Sequence, residues 1–302
     1  MDIIRPVNVT DSVLISSSVS EDDYSEWNSS TTYNTGDKVI VISNHQAYES
    51  LVDSNTGNDP TTDDGTKWLN IGATNRWKAF DQKISDPVTD TGSIAYELSS
   101  ADTYVTSVAL FGLKAVEATV TVTDTDDDGE VYNKTTSLID NLDVIDWYTY
   151  FFEPITFKTE ALFTDIPPYL GSDVEILITS SEGETVEVGQ IVIGSLQNLG
   201  FTVYGTNVGI EDFSRKETDA FGNFIIVERN FSNLVDYEVR IPTQTTRRVQ
   251  NLLAQFRASP LVYIGNDDDS FGTIVYGFYR NFDINLDTPS YSLASIEVEG
   301  LT

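Results

Sequence analysis

The chain has 302 residues with no Cys, one His and one Met, and its 48 acidic against 17 basic residues give a formal net charge of −31. Zero Cys excludes disulfide frameworks, thiolate zinc sites and cysteine nucleophiles, and one His excludes multi-histidine metal centres. The charge opposes direct binding to nucleic acid or anionic lipid, while 40% apolar and 11% aromatic residues suffice for real cores. No window approaches the roughly 18 apolar residues of a membrane span, so no membrane insertion is expected. The opening MDIIRPVNVTDSVL lacks the basic leader and long apolar run of a secretory signal. Length predicts two or three domains.

Residues 1–23 read as an extended arm. Ile3, Ile4, Val7, Val9, Val13, Leu14 and Ile15 make it too apolar for a free tail. The arm is expected to dock on a neighbouring subunit through Ile3, Ile4 and Val7. Residues 24–78 read as a small aromatic β module, with Trp27, Tyr33, Tyr48, Trp68 and Trp77 in about fifty residues. His45, in a turn after the strand-like KVIVI, is expected at the surface. Residues 79–199 run strand after strand, as in ATVTVTD (Ala118 to Asp124) and DVEILITS (Asp173 to Ser180), which predicts a β-sandwich or jelly roll. Residues 200–302 read as a β domain with one α-helix over residues 243–258. There Val249, Leu252, Leu253 and Phe256 fall at i, i+3, i+4 and i+7, between Pro242 and Ser259-Pro260. The expected fold class is therefore mainly β.

Few residues carry chemistry. Asp124, Asp126 and Asp128, followed by Gly129, match the D-x-D-x-D-G opening of a calcium loop. Position 12 of that loop is Thr135 rather than an acid, and the flanks read as strands, so an acidic hairpin turn is favoured over a calcium site at Asp124 to Glu130. Asn266-Asp267-Asp268-Asp269 is a second acidic turn. Arg247, Arg248 and Arg257 concentrate positive charge on the helix, either as a solvated face or as a basic face meeting an acidic neighbouring subunit. No G-x-S-x-G, P-loop, dinucleotide fingerprint or H-E-x-x-H is present. No carboxylate pair is marked out, so neither an enzyme nor a cofactor is expected.

Trp27, then Tyr33-Asn34-Thr35-Gly36-Asp37-Lys38-Val39, then Tyr48, Pro60 and Trp68 resembles the small carbohydrate-binding module of families 5 and 12. The resemblance covers about one seventh of the chain. It implies a small aromatic-cored β fold and, at Tyr48 and Trp68, stacking on a host glycan. The stretch Glu49-Ser50-Leu51-Val52-Asp53 departs from it, holding none of the exposed aromatics that sugar-binding members use.

A second resemblance spans the chain loosely. Ile4-Arg5-Pro6-Val7, Glu21 to Trp27, Thr74 to Asp81, Ala220 to Asn223, Tyr276 to Tyr279 and Leu293 to Leu301 together resemble virion structural proteins of tailed bacteriophages. This implies a tail, neck or tail-tip component, made in the host cytoplasm and carried in the virion. Its partners would be copies of itself and other phage tail proteins. The alternative is a carbohydrate-binding adhesion module contacting host surface glycans.

Overall fold

The structure is a computed structural model describing residues 1–100, 103–126, 129–140, 146–152, 156–218, 221–266, 271–286 and 288–302. The first strands are β1 (Asp2–Pro6) and β2 (Leu14–Ser17), followed by β3 (Lys38–Val41), β4 (Gln46–Ser50) and β5 (Trp68–Ala73). These last three form an antiparallel sheet in the order β3–β4–β5. A 3-10 helix, Asn75–Phe80, leads onward.

The next stretch holds β6 (Ser93–Ser99), β7 (Ser107–Phe111), β8 (Glu117–Asp124) and β9 (Gly129–Ser137). A short helix, α1 (Trp147–Phe152), precedes β10 (Glu160–Phe163), β11 (Ser172–Thr179) and β12 (Gln190–Asn198). Strict alternation drives the layering, because successive strand residues point to opposite faces. In β11, Val174, Ile176 and Ile178 are buried while Asp173, Glu175 and Leu177 are less so. A five-stranded sheet, β9–β8–β11–β6–β2, turns those residues inward with Ile94, Tyr96 and Leu98 of β6. They meet Val108 and Leu110 of β7, Phe163 of β10 and Ile191 and Ile193 of β12 across one shared core.

The last third of the chain holds β13 (Phe201–Thr202), β14 (Asn207–Asp212), β15 (Arg215–Thr218), β16 (Phe224–Val227) and β17 (Phe231–Pro242). After them come α2 (Thr246–Gln255), β18 (Leu261–Ile264), β19 (Ile274–Asn285) and β20 (Tyr291–Gly300). A ten-stranded antiparallel sheet runs β10–β7–β12–β1–β18–β19–β20–β17–β13, with β14 also paired to β17. Residues 1–23, 79–199 and 200–302 all contribute strands to it.

The expected helix forms. Val249 and Leu253 are buried, and Leu252 and Phe256 pack half-buried against the same core. A 3-10 turn, Thr243–Thr245, opens the window, and the helix ends at Gln255, short of the expected residue 258. The Tyr279 hydroxyl donates to the Leu253 carbonyl at 3.1 Å, tying α2 to β19.

The arm corrects an expectation. β1 lies between β12 and β18, with Ile3 opposite Gln197 and Tyr263, and Ile4 opposite Leu196 and Val262. Ile3 packs with Tyr237, Val249 and Leu253 on one face, and Ile4 with Ala109, Val192 and Tyr276 on the other. Both are fully buried in their own chain, so neither docks on a neighbour. Their apolarity answers the need of a central strand for cover on both faces. Val7 is half-buried against the sandwich core, and its amide donates to the Ile193 carbonyl at 2.8 Å.

Candidate assembly surface

Past the edge of the large sheet the chain continues as a two-stranded ribbon. β14 pairs with the first half of β17, from Asn207 opposite Asp236 to Asp212 opposite Phe231. The Phe213 amide donates to the Asn230 carbonyl, and β15 then pairs with β16 from Arg215 opposite Val227 to Thr218 opposite Phe224. Ion pairs set its base. Arg280 reaches Glu211 at 2.6 Å and Glu299 at 2.7 Å, and hydrogen bonds to Glu299 and Glu211 push its guanidinium pKa up. The Lys216 ammonium, 2.6 Å from Asp212, and then Ser214 hold the Asp212 carboxyl well below the usual range.

The ribbon has an unusual distribution of polarity. β15 reads RKET and β16 reads FIIV. Phe224 is 78% exposed, Ile225 52%, Ile226 66% and Val227 47%. An unbroken apolar run is the pattern of a strand covered on both faces. β18, reading LVYI, has that pattern and is wholly buried. β16 has the same pattern and is bare on both sides. Val208, Ile210, Phe213, Phe221 and Phe231 extend the exposed apolar surface along the ribbon. At roughly 150–200 Å² per fully exposed side chain, these nine residues present about 1,000 Å². That exceeds the ~300–600 Å² of the largest patch on a typical monomer and matches the ~800 Å² one partner gives to a standard interface. At the ribbon's root, an open cleft of about 510 Å³ is lined by Phe201, Tyr204, Val208 and Phe271.

Arg247 and Arg248 are exposed on α2, and Arg257 is exposed in the turn just past its end. Arg248 Nη2 donates to the Asn198 carbonyl at 2.6 Å and Arg257 Nη1 to the Ala254 carbonyl at 3.1 Å. None of the three pairs with a carboxylate among the described residues.

Comparison with family models, curated proteins and solved structures finds no match.

The sugar-binding candidates lie in a core. Tyr48 is 6% and Trp68 2% exposed, packed with Tyr33 and Val39. Tyr33 meets Trp68 edge-on at 5.3 Å, and Trp68 Nε1 donates to the Asn58 carbonyl at 2.9 Å. Neither ring offers a face to a pyranose, because a module this small fills its interior with aromatics. The acidic turn closes the β8–β9 hairpin, with the Asp126 amide donating to Asp124 Oδ1 at 3.1 Å. Asp128 and Asp267 to Asp269 lie outside the described residues. Among the described residues no group of three His, Asp or Glu gathers where a metal ion would sit.

Two features escaped sequence reasoning. His45 is only 18% exposed in its side chain, with Nδ1 2.9 Å from Glu21 and Nε2 2.8 Å from Asp11, and its ring stacks on Trp77 at 4.0 Å. The α1 segment WYTYFF puts Trp147, Tyr148, Phe151 and Phe152 at the surface, each between 67% and 80% exposed. Its signal was available as five aromatics in six residues.

Proposed function

We propose that this chain is a structural, non-enzymatic protein of a tailed-phage virion. It is built into the tail, neck or tail tip through contacts with copies of itself and with other tail proteins, after synthesis in the host cytoplasm. The observation that carries the reading is β16, an interior-type apolar strand bare on both faces of a projecting ribbon. Covering it requires protein on both sides, which an assembly of subunits supplies. The stretches that resemble virion structural proteins point the same way. The glycan-adhesion alternative gains nothing from Tyr48 and Trp68, whose rings are enclosed.

The test is the oligomeric state of the full chain, alone and with co-expressed tail proteins, by sedimentation and electron microscopy. Higher-order particles are expected, and the double variant Phe224→Ser/Ile226→Ser is expected to lose contacts made through the ribbon while keeping its circular dichroism. A parent chain that stays solitary under both conditions would overturn the proposal, as would glycan binding that vanishes in Trp68→Ala.

A further inference from the structure

We infer that the apolar ribbon of one copy inserts into the cleft at the ribbon root of the next copy, joining successive chains head to tail. The inference rests on the assembly reading above and names where the ribbon docks.

From Phe221 to Val227 the sequence holds no charged residue, within a chain of net charge −31. The cleft shares that character, since none of its described lining residues has a charged side chain. Phe201, Tyr204, Val208 and Phe271 all line it and are all exposed, Tyr204 completely. Aromatic rings are enriched at the centres of interfaces. The cleft is also preformed. Thr202 Oγ1 donates to the Gly265 carbonyl at 2.5 Å, which ties together two of the segments that line it, and the Val203 amide donates to the Glu238 carbonyl at 2.8 Å. Its volume of about 510 Å³ falls within the ~300–1,000 Å³ of ordinary ligand pockets, room for the few side chains of a ribbon tip.

The two surfaces belong to different copies. No residue of β15 or β16 lines the cleft of its own chain, and the β14–β17 ladder keeps the two apart. Pairing one ribbon with another along their strand edges would set a strand beside β16 and leave both its faces in water. A cleft meets a strand from both sides, which is the cover an unbroken apolar run calls for. At roughly 150–200 Å² per fully exposed side chain, the tip from Phe221 to Val227 presents about 600 Å² and the cleft about 500 Å². Together they reach the ~1,000 Å² that a specific interface should clear. Copies of a chain this acidic repel one another, so uncharged patches are where they approach at least electrostatic cost. A contact of one patch with a different patch on the next copy is heterologous, and it closes into a ring or continues as a filament.

The experiment compares the full chain with two double variants by sedimentation. F224S/I226S removes the ribbon tip, and F201S/Y204S removes the cleft lining. The parent is expected to self-associate, and each variant alone to do so at least about 30-fold more weakly. Mixing the two variants in equal amounts is expected to give a heterodimer and nothing longer, since one intact ribbon and one intact cleft remain. All four side chains are exposed, so each variant should keep the parent's circular dichroism; Y204S alone serves if the cleft pair disturbs β13. A cleft variant that assembles like the parent, or variants that fail to pair when mixed, would overturn the junction and leave the ribbon reading standing. So would a parent that is solitary alone and assembles only with co-expressed tail proteins, a result that gives the ribbon a different partner. A parent solitary under both conditions would overturn the ribbon reading together with the junction.

Discussion

His45 shows how one side chain fastens three pieces of chain. Glu21 comes from the segment after β2, Asp11 from the turn before it, and Trp77 from the 3-10 helix. Both imidazole nitrogens face carboxylate oxygens, Nδ1 that of Glu21 and Nε2 that of Asp11. Glu21 Oε1 also accepts from Thr74 Oγ1 at 2.9 Å, and the Arg76 Nε–H donates to the Val19 carbonyl at 2.6 Å. His45→Ala is expected to cost about 1–3 kcal/mol, from the lost ring stack and the lost hydrogen bonding to Glu21 and Asp11. A lower denaturation midpoint and faster proteolysis within residues 8–24 would show it. Asp81 makes a second residue-level prediction. Its Oδ1 accepts from the Lys83 amide at 2.9 Å while its Oδ2 is buried without a partner. Burial raises its carboxyl above the ordinary value. A raised folded pKa means stability that is complete below the unfolded value of about 3.9 and lost as pH climbs through the folded one. Asp81→Asn therefore raises the melting temperature at neutral pH, and the gain closes as pH falls below about 3.9. Equal melting temperatures at neutral pH would contradict this.

Elements differ in how much of them the residues announce. Helix α2 was legible, because its period, its preceding Pro242 and its following Pro260 are all local. The strands of the sandwich were legible through alternation, as in β8 and β11. The runs FIIV of β16 and LVYI of β18 could not be told apart as sequence, for both are short, apolar and rich in β-branched and aromatic residues. What separates them is pairing. β18 is received by β1 from the far end of the chain, while among the described residues β16 pairs only with β15. Substitution should reveal the difference. Leu261→Ala in β18 is expected to lower stability by about 2–5 kcal/mol. Ile226→Ser in β16 is expected to change monomer stability by no more than about 0.5 kcal/mol, since its side chain is already in water. Chemical denaturation of both variants checks the contrast. The aromatic core around Trp68 was legible as a core, and the basic helix face as a concentration of charge. The α1 patch was not, because a segment aromatic at nearly every position has no period to indicate a face.

At the scale of the whole molecule, the ten-stranded sheet depends on β1 as its keystone. β12 binds one edge of β1 and β18 the other, and Gly194 is the point of closest approach, where a Cβ would collide with the Arg5 carbonyl. Ile3 and Ile4, on opposite faces of β1, bring two buried clusters of this sheet together. Deleting residues 2–6 is therefore expected to abolish cooperative folding rather than only assembly, which thermal melting followed by circular dichroism would show. Gly194→Val should act in the same direction, by wedging β1 away from β12.

The pairing of Ile3 with Tyr263 and Ile4 with Val262 has a consequence in time. On the ribosome the strand carrying Ile3 and Ile4 emerges before its partner at Leu261–Ile264, which follows some 260 residues later. At ~5–20 residues per second that interval is roughly 10–50 s. Throughout it a sticky apolar hem remains unsewn on the nascent polypeptide, so production yield should respond to chaperone supply and translation speed more strongly than the stability of the finished protein does.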